Sequence, residues 1–323
     1  MSDQIIKLKA PGTVDQFQME EQCDPEPGRG EVRIRHHAIG VNFVDVYQRR
    51  GLYALPSYPA VLGAEAAGMV EAVGEGVADF RTGDRVAYAG PPIGTYCSTR
   101  NVLVERVIRV PDTVSLKTAA SSLLRGMTAH MLLEKMHPVH DGSVVMIHAA
   151  AGGLGAILVR WAKSLNATVI GCVSTPEKAE IAAGYGADHL IVGRQADIVA
   201  EAKRLTGGLG VDVVYDGVGG DTLLQSIRSV RPFGMAATIG QVAGPIPPVP
   251  VEELRPGKSL SHPSIMAWCL DVGRYRESAE MAVRAMERGM VSEIMAEYGL
   301  AEVAKAHEEL ESGRLAGSIL LLP

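Results

Sequence analysis

A glycine-rich turn between two apolar runs constrains this chain more than any other feature. Residues 144–148 (VVMIH) are a short run of strand-forming residues, typical of a strand covered on both faces. The turn AAAGGLG follows at 149–155, an apolar helical stretch occupies 156–163, and a second strand is predicted at 167–172. This order of strand, turn, helix and strand predicts a βαβ unit within a parallel sheet.

The turn matches a dinucleotide-binding fingerprint in which Ala150 stands at the first glycine position. Gly152 lets the backbone approach a pyrophosphate, and Gly155 lets the helix lie close to the strand. The N–H groups at the start of the helix then face the phosphates. The predicted contacts are Ala151, Gly152, Gly153, Leu154 and Gly155. The alternative interpretation is an ordinary tight turn between a strand and a helix.

The end of the second strand favours NADP(H) over NAD(H). An NAD site usually carries Asp or Glu about 20 residues after the fingerprint, where it binds the ribose hydroxyls. Residues 172–175 (CVST) contain no acid, and Lys178 follows them. A small hydroxyl residue, Ser174, together with a lysine suits a 2′-phosphate. The same stretch also matches an N-cap with proline in the first helical turn and Lys178 as a solvated charge, and both interpretations can hold at once.

Composition and length exclude several classes of protein. A chain of 323 residues with 47% apolar and 21% charged residues is long enough for two domains with apolar cores. The net charge of -6 disfavours a nucleic-acid binder that works through a general basic surface. The four cysteines form no CxxC pair, which indicates a reducing compartment. We see no signal peptide and no apolar run of transmembrane length, so a cytoplasmic protein without a membrane span is predicted.

The secondary-structure pattern predicts a β-rich first region and a doubly wound parallel sheet after it. Short strands are predicted at 5–8, 32–35, 66–73, 85–88 and 107–110. Helices are predicted at 115–122, 128–135, 196–205, 222–228, 275–288 and 303–312, with further strands at 189–192, 211–216, 235–240 and 318–322. A proline-rich loop occupies 245–250, and the last strand is predicted to return to the first region. We therefore predict a catalytic domain at 1–123, an inserted nucleotide-binding domain at 124–264, and a return to the catalytic domain at 265–323.

Six stretches, one of which contains the fingerprint, carry a family resemblance: 40–47 (GVNFVDVY), 61–68 (VLGAEAAG), 83–86 (GDRV), 148–155 (HAAAGGLG), 214–219 (VYDGVG) and 263–264 (PS). With them the chain resembles the medium-chain dehydrogenase/reductase superfamily and, within it, the zeta-crystallin-like NADPH:quinone oxidoreductases. The resemblance covers nearly the whole chain. It implies an α/β fold in which a GroES-like β-rich catalytic domain contains an inserted Rossmann domain, with a cofactor cleft between them and commonly a homodimer. It also implies reduction of a quinone with NADPH.

The resemblance further implies a catalytic group of Asn42, Asp45 and Tyr47 near the nicotinamide. On a helical turn, positions 42 and 45 share a face, so Asn42 and Asp45 are expected to act together. Asn42 and Tyr47 orient ligand or cofactor, and Tyr47 donates to a quinone oxygen. A helix cap with a structural aspartate is the alternative. Tyr53 and Trp268 either wall an apolar slot or belong to the core, and the core is favoured for Trp268.

Other cofactor contacts are implied by the same resemblance, and the chain departs from the family pattern near them. The implied contacts are Thr128, Arg194, Gly217, Gly240 and Gln241. The family often has Asn-Tyr-Arg where residues 192–194 are VGR, so a tyrosine that helps to hold the 2′-phosphate is absent. His262 and Arg125 stand where relatives commonly carry arginine and lysine. These departures bear on the strength of NADPH binding more than on the preference for it.

The metal ligands of the zinc-dependent branch are missing. Asn42 stands near the place of an early cysteine, and Gly63-Ala64-Glu65 lacks the histidine of the zinc pattern. His36 and His37 are adjacent in a predicted strand and point to opposite faces, so we predict surface residues rather than ligands. We predict no metal site, because a catalytic zinc needs about three suitable protein ligands.

Without a metal, the substrate must already be electrophilic. A quinone needs an apolar slot, an aligned cofactor and a hydrogen-bond donor for its developing oxyanion. Two other functions stay open. One is NADPH-dependent reduction of the activated C=C bond of an enone or enal. The other is a non-catalytic crystallin-like or RNA-binding role, and the acidic charge disfavours RNA binding.

Overall fold

The computed structural model describes residues 3–23 and 25–323, and the chain divides into two compact units. The first unit consists of Met1–Met127 together with Ile265–Pro323. The second unit consists of Thr128–Ser264. The chain therefore leaves the first unit, forms the second and returns, as an inserted domain does. The division falls within one helix, Leu116–His130.

The strands follow the sequence prediction in most places and are longer in several. They are β1 (Gln4–Leu8), β2 (Phe17–Glu21), β3 (Glu31–Val41), β4 (Ala60–Val61), β5 (Glu65–Val73), β6 (Arg85–Ala89), β7 (Thr99–Leu103), β8 (Ile108–Arg109), β9 (Val144–His148), β10 (Thr168–Val173), β11 (His189–Val192), β12 (Val211–Asp216), β13 (Val230–Thr238), β14 (Ser259–Ser261), β15 (Ile294–Gly299) and β16 (Ser318–Leu322). The strands β2, β4, β7, β14 and β15 were not predicted. Their sequences are short or rich in polar residues, so they lack a clear apolar alternation.

The helices lie largely in the second half of the chain. They are α1 (Phe43–Arg49), α2 (Leu116–His130), α3 (Gly153–Ser164), α4 (Pro176–Gly184), α5 (Ile198–Leu205), α6 (Thr222–Ser229), α7 (Ile265–Trp268), α8 (Val272–Glu287) and α9 (Val303–Ser312). A π-helical turn, Met131–Met136, continues α2. No helix within residues 3–23 and 25–323 is long and apolar enough to cross a membrane.

The first unit is built on a mixed sheet with the strand order β15-β16-β3-β5-β6-β8, and β7 also pairs with β3. Alternate residues of β6 enter two different apolar clusters. Val86 and Tyr88 pack in one cluster together with Val303 of α9, whereas Ala87 packs in the other with Leu123 of α2. Since successive strand residues point to opposite faces, the sheet carries a core on each side. The three-stranded antiparallel sheet β2-β1-β4 completes the unit.

The second unit is a six-stranded sheet in the order β11-β10-β9-β12-β13-β14, and each neighbouring pair is parallel. Numbered within the unit, this order is 3-2-1-4-5-6, the arrangement of dinucleotide-binding folds. The continuous apolar sequences of β9 and β12 suit strands that are covered on both faces. The predicted fold class, a β-rich domain with an inserted doubly wound parallel sheet, is confirmed.

Two local predictions were wrong. The separate helices predicted at 115–122 and 128–135 form one continuous run, because Gly126 is a packing residue and not a break. A Cβ atom at Gly126 would lie 2.8 Å from Cβ of Ala282 in α8, so the glycine allows the two helices to approach closely. The prediction of a surface position was also wrong for His36. It is 5% exposed, and its ring nitrogens lie 2.8 Å from the carbonyl oxygen of Cys97 and 2.8 Å from the hydroxyl of Tyr88.

Candidate active site

The fingerprint turn has the geometry of a close approach between a helix and a strand end. The helix α3 begins after Gly152, whose backbone is extended (φ -77°, ψ 172°). A Cβ atom at Gly155 would lie 2.3 Å from the carbonyl oxygen of Ala149 and 2.8 Å from Cα of Ala150. Only glycine therefore fits at position 155. The first N–H groups of a helix have no acceptor within the helix, so this turn presents donors to an anion at the carboxyl end of β9.

A buried carboxylate shapes the neighbouring turn after β12. Asp216 is 0% exposed, and its Oδ1 accepts hydrogen bonds from the backbone N–H groups of Val218 (2.9 Å) and Gly219 (3.0 Å). Its Oδ2 accepts the hydroxyl of Ser226 at 2.7 Å. The Ser226 hydroxyl also lies 3.1 Å from Nε2 of His148, the last residue of β9. Asp216 thus holds the turn at 217–219 and is linked through one hydroxyl to the strand that leads into the fingerprint.

The turns after β12 and β13 are in contact with each other. A Cβ atom at Gly240 would lie 2.7 Å from the carbonyl oxygen of Gly217. Gly219 has a φ of +69°, and a Cβ atom there would lie 2.7 Å from Cα of Gln241. Because the carboxyl ends of parallel strands share one edge of a sheet, these turns lie at the same edge as the fingerprint turn. The structure therefore brings together the predicted contacts at 151–155, Gly217, Gly240 and Gln241.

The residues predicted to select NADP(H) follow β10 and β11. Thr175, not Ser174, is the N-cap of α4, and its Oγ1 accepts the backbone N–H of Lys178 at 3.3 Å. The side chain of Lys178 is partly buried, and desolvation, followed by the positive charge of Arg194, lowers its pKa. Two cations are therefore close to each other at the sheet edge that carries the fingerprint. The backbone N–H of Gly193 donates to the carbonyl oxygen of Val173 at 2.9 Å, and Gly193 has a φ of +109°, which favours glycine there.

Thr128, the remaining predicted cofactor contact, lies in the last turn of α2, at the start of the second unit.

In the first unit, the predicted catalytic residues Asn42, Asp45 and Tyr47 are grouped at the start of α1. Asn42 is the N-cap, and its backbone N–H donates to Oδ2 of Asp45 at 2.8 Å. This hydrogen bond is the helix cap that was the alternative interpretation, and Asp45 is 0% exposed. Tyr47 is 8% exposed and its ring centroid lies 5.3 Å from that of Tyr53 in an edge-on arrangement.

A buried ion pair fixes the Asn42 side chain. Nδ2 of Asn42 donates to Oε1 of Glu65 at 2.8 Å, and the same oxygen accepts Nη1 of Arg125 at 3.0 Å. Oε2 of Glu65 accepts the backbone N–H of Leu124 at 2.8 Å. Burial raises the pKa of Glu65, and the charge of Arg125 opposes that rise. A Cβ atom at Gly40 would lie 2.4 Å from Oε1 of Glu65, so this glycine makes room for the pair. Sequence reasoning noticed Glu65 only as part of an incomplete zinc pattern and Arg125 only as a replacement for a lysine, and it missed their pairing.

The aromatic residues proposed for an apolar slot differ in their surroundings. Tyr53 is 37% exposed and packs against Tyr47. The indole N–H of Trp268 donates to the hydroxyl of Ser278 in α8 at 3.0 Å, and the ring is partly buried in the first unit. Trp268 therefore makes a structural contact between α7 and α8.

The donor atoms near α1 do not fit a zinc ion. Within the part of the chain that the structure describes, residues 3–23 and 25–323, no group of three His, Cys, Asp or Glu residues has the arrangement of a metal site. Glu65, which belongs to the zinc pattern, already bonds to the guanidinium of Arg125. A second cation at that carboxylate would be repelled by the first, so the residues present favour chemistry without a metal.

Comparison with known proteins gives the class first. Residues 28–133 match the family model described as alcohol dehydrogenase GroES-like domain, and residues 153–282 match the model described as zinc-binding dehydrogenase. Together with the inserted dinucleotide fold, these matches define a medium-chain dehydrogenase/reductase. The chain belongs to the quinone oxidoreductase family of that superfamily, as full-length relatives show.

The similar proteins cover essentially all of the chain. A 2-haloacrylate reductase of a Burkholderia species is 41% identical over 321 residues, which are 97% of this chain and 96% of the relative. A quinone oxidoreductase of Pseudomonas aeruginosa is 38% identical over 98% of this chain and 99% of its own length. The crystal structure of Escherichia coli quinone oxidoreductase complexed with NADPH superposes with a TM-score of 0.93 at 35% identity, covering 99% of this chain and 100% of the other.

Proposed function

We propose that this protein is an NADPH-dependent quinone reductase that works without a metal ion. The full-length likeness to a quinone oxidoreductase solved with NADPH carries the proposal. The glycine-rich turn at the start of α3 supports it independently, since it suits a pyrophosphate. The two cations Lys178 and Arg194 support it as well, since they suit a 2′-phosphate.

The residues of the second unit have distinct roles in holding NADPH. The backbone at 151–155 binds the pyrophosphate at the start of α3. Ser174, Lys178 and Arg194 bind the 2′-phosphate, where the fork of the arginine and the ammonium of the lysine supply charge-assisted hydrogen bonds. The further contacts are Thr128, Gly217, Gly240 and Gln241. When bound, NADPH supplies a hydride.

The residues of α1 orient the substrate and stabilise the charge that develops on it. Glu65 engages Nδ2 of Asn42 and so fixes which way the amide faces. Tyr47 donates its O–H to the quinone oxygen that becomes negative, and Asp45 acts indirectly because it is buried in the helix cap. A quinone accepts hydride without the polarisation that a plain ketone requires, so no metal is needed.

A second function, reduction of an activated C=C bond, is favoured by one observation. The Burkholderia relative is named a 2-haloacrylate reductase, and it covers 97% of this chain. Such a substrate is also electrophilic, but its reduction places more demand on a proton donor, because the carbon skeleton takes up a proton as well as a hydride.

Steady-state oxidation of NADPH and NADH distinguishes these functions. The acceptor panel consists of quinones, enals, enones and 2-haloacrylate. Turnover with NADPH and quinones, well above that with the other acceptors, supports the proposal. Turnover with the C=C acceptors alone moves the function to the second candidate. Absence of NADPH oxidation with every acceptor would leave the non-catalytic role.

We also propose a cytoplasmic homodimer. The strand β14 is the last strand of its sheet and pairs with β13 on one side. Among the described residues, no strand pairs with the outer side of β14. An unpaired edge is a template for association with a second copy. Phe233 and Val251 of the same unit are 78% and 75% exposed. Sedimentation velocity tests the dimer.

The cytoplasmic location is supported by the four cysteines, Cys23, Cys97, Cys172 and Cys269, which form no disulfide within the described residues.

A further inference from the structure

Three buried side chains connect α1 to α9 within the first unit. The hydroxyl of Tyr96 donates to Oδ2 of Asp45 at 3.1 Å, and the same hydroxyl lies 2.9 Å from Nε2 of His307. Oδ2 of Asp45 also accepts the backbone N–H of Asn42 at 2.8 Å. Asp45, Tyr96 and His307 are each 0% exposed, so water does not compete for these hydrogen bonds.

When Asp45 is ionised, this chain of hydrogen bonds has one direction. A carboxylate only accepts, so the Tyr96 hydroxyl donates its proton to Asp45. Its oxygen then accepts the Nε2–H of His307, which makes His307 the Nε2–H tautomer. Burial, followed by the charge of Arg49, lowers the pKa of His307 to about 3, so the imidazole is neutral at physiological pH. A protonated Asp45 would accept both of its hydrogen bonds more weakly, because a neutral carboxyl group is a poorer acceptor than a carboxylate.

We propose that Tyr96 and His307 are positioning residues for α1, which hold Asp45 in its ionised, cap-forming state and thereby fix Asn42 and Tyr47 for the reaction. The inference rests on the proposed function in that it takes Asn42 and Tyr47 as substrate-orienting residues. Tyr96 and His307 act through Asp45 and do not contact the substrate themselves.

The charges around Asp45 set the pH at which its side chain becomes ionised. Desolvation raises the pKa of Asp45 to about 7, against the lowering effects of the hydrogen bonds from Asn42 and Tyr96. Two ionisable groups on other elements act less strongly: Glu65 of β5 raises this pKa and Arg125 of α2 lowers it. Two further ionisable groups lie at the α9 end of the hydrogen-bonded chain. They are His307, which is neutral, and Arg49 of α1, whose charge acts on His307 and which bonds to Glu311. Removal of the Tyr96 hydroxyl takes away a donor to the charged form, so the pKa of Asp45 must rise.

The experiment measures kcat and kcat/KM against pH for the wild type, for Tyr96→Phe and for two matched controls. Tyr275→Phe and Tyr215→Phe each remove the hydroxyl of a tyrosine that is 0% exposed. In the wild type these hydroxyls donate to the carbonyl oxygens of Arg106 and Leu132. We expect the acid limb of the Tyr96→Phe profile to move to higher pH by about one unit, with kcat falling more than KM changes. We expect both controls to keep the wild-type limb.

Asp45→Asn is the second variant, and it decides the question if Tyr96→Phe does not fold. The amide oxygen still accepts a hydrogen bond from the N–H of Asn42, but the side chain no longer titrates. The acid limb should therefore disappear, whatever the maximal rate of this variant is. An unmoved limb in Tyr96→Phe, an equal shift in either control, or a wild-type limb in Asp45→Asn would overturn the inference.

If the wild type oxidises NADPH with none of the acceptors, the proposed function is refuted. The midpoint of denaturant unfolding, measured against pH, then tests the coupling of Tyr96 to Asp45 independently of activity. The pKa of Asp45 is raised on folding, so its contribution to stability is fully present below about pH 4 and is lost as the pH rises to about 7. Tyr96→Phe should extend this loss to higher pH and Asp45→Asn should remove it. Profiles that coincide with those of the wild type would contradict the coupling of Tyr96 to Asp45.

Discussion

Lys178 and Arg194 form a concentrated positive charge after β10 and β11. Desolvation and the positive charge of Arg194 lower the pKa of Lys178, because the two cations repel each other. A phosphate placed between two cations gains charge-assisted hydrogen bonds and removes their repulsion. At the residue scale, the preference for NADPH should therefore depend on these two side chains.

Lys178→Ala should weaken NADPH binding by roughly 1–3 kcal/mol, as expected for the loss of one charged hydrogen bond, and leave NADH binding nearly unchanged. Fluorescence titration with both cofactors measures it. The matched control is Lys163→Ala, since Lys163 bonds to Asp188 near the start of β10, at the opposite end of the strand. Equal losses for NADPH and NADH, or NADH bound as tightly as NADPH by the wild type, would contradict the assignment.

Tyr47→Phe should retain cofactor binding and lower the rate of quinone reduction by about 10-fold, or about 1.4 kcal/mol, because the hydroxyl contributes orientation and one hydrogen bond. Single-turnover kinetics with NADPH isolate the hydride step. A loss near 10⁴-fold would instead identify Tyr47 as an obligate proton donor, which the C=C reductase function requires more than the quinone reductase function does.

At the scale of elements, the packing of α3 against the end of β9 forms the turn that we propose binds the pyrophosphate. The approach is set by Gly155, where a Cβ atom would overlap the carbonyl oxygen of Ala149 at 2.3 Å. The turn after β12 is held separately by the carboxylate of Asp216. The site is therefore sensitive to backbone displacement as well as to the loss of individual side chains.

Gly155→Ala should displace the start of α3 and weaken NADPH binding by at least about tenfold, with a loss of stability of about 1–3 kcal/mol from overpacking. Gly184→Ala in α4 is the matched control, because a Cβ atom there meets nothing within 4 Å and the helix favours alanine. We expect a gain of about 0.4–1 kcal/mol for this control. Calorimetry and denaturant unfolding measure the two effects, and wild-type NADPH affinity in Gly155→Ala would show that the turn does not bind the dinucleotide.

At the scale of the whole molecule, the chain combines a β-rich unit with a six-stranded parallel unit inserted into it. The residues proposed to bind the dinucleotide all lie in the second unit, and the residues proposed to act on the substrate all lie in the first. Within the first unit, the carboxylate that a zinc ion would use is neutralised by Arg125. The molecule as a whole is therefore predicted to function without a metal.

Elemental analysis of the purified protein should find zinc far below one equivalent per chain, and a strong chelator should leave quinone reduction unchanged. The reason is that the side chains around α1 supply no set of three ligands. Activity that a chelator abolishes and zinc restores would contradict this prediction.

The sequence by itself determined the parts of the protein that depend on local periodicity. The βαβ unit around the fingerprint follows from short apolar runs, a glycine turn and an apolar helix, which are neighbours along the chain. The cap formed by Asn42 and Asp45 was likewise open to sequence reasoning as an alternative, because its two members are three residues apart.

Only the tertiary structure decided the contacts between residues that are distant in sequence. Tyr96 meets Asp45 across 51 residues and His307 across 211, so no local pattern predicts either hydrogen bond. The burial of His36 and the role of Gly126 were missed for the same reason, since each depends on a partner from another element. Periodicity fixes which face of an element is apolar, whereas the identity of its buried polar partners is set by how the elements pack together.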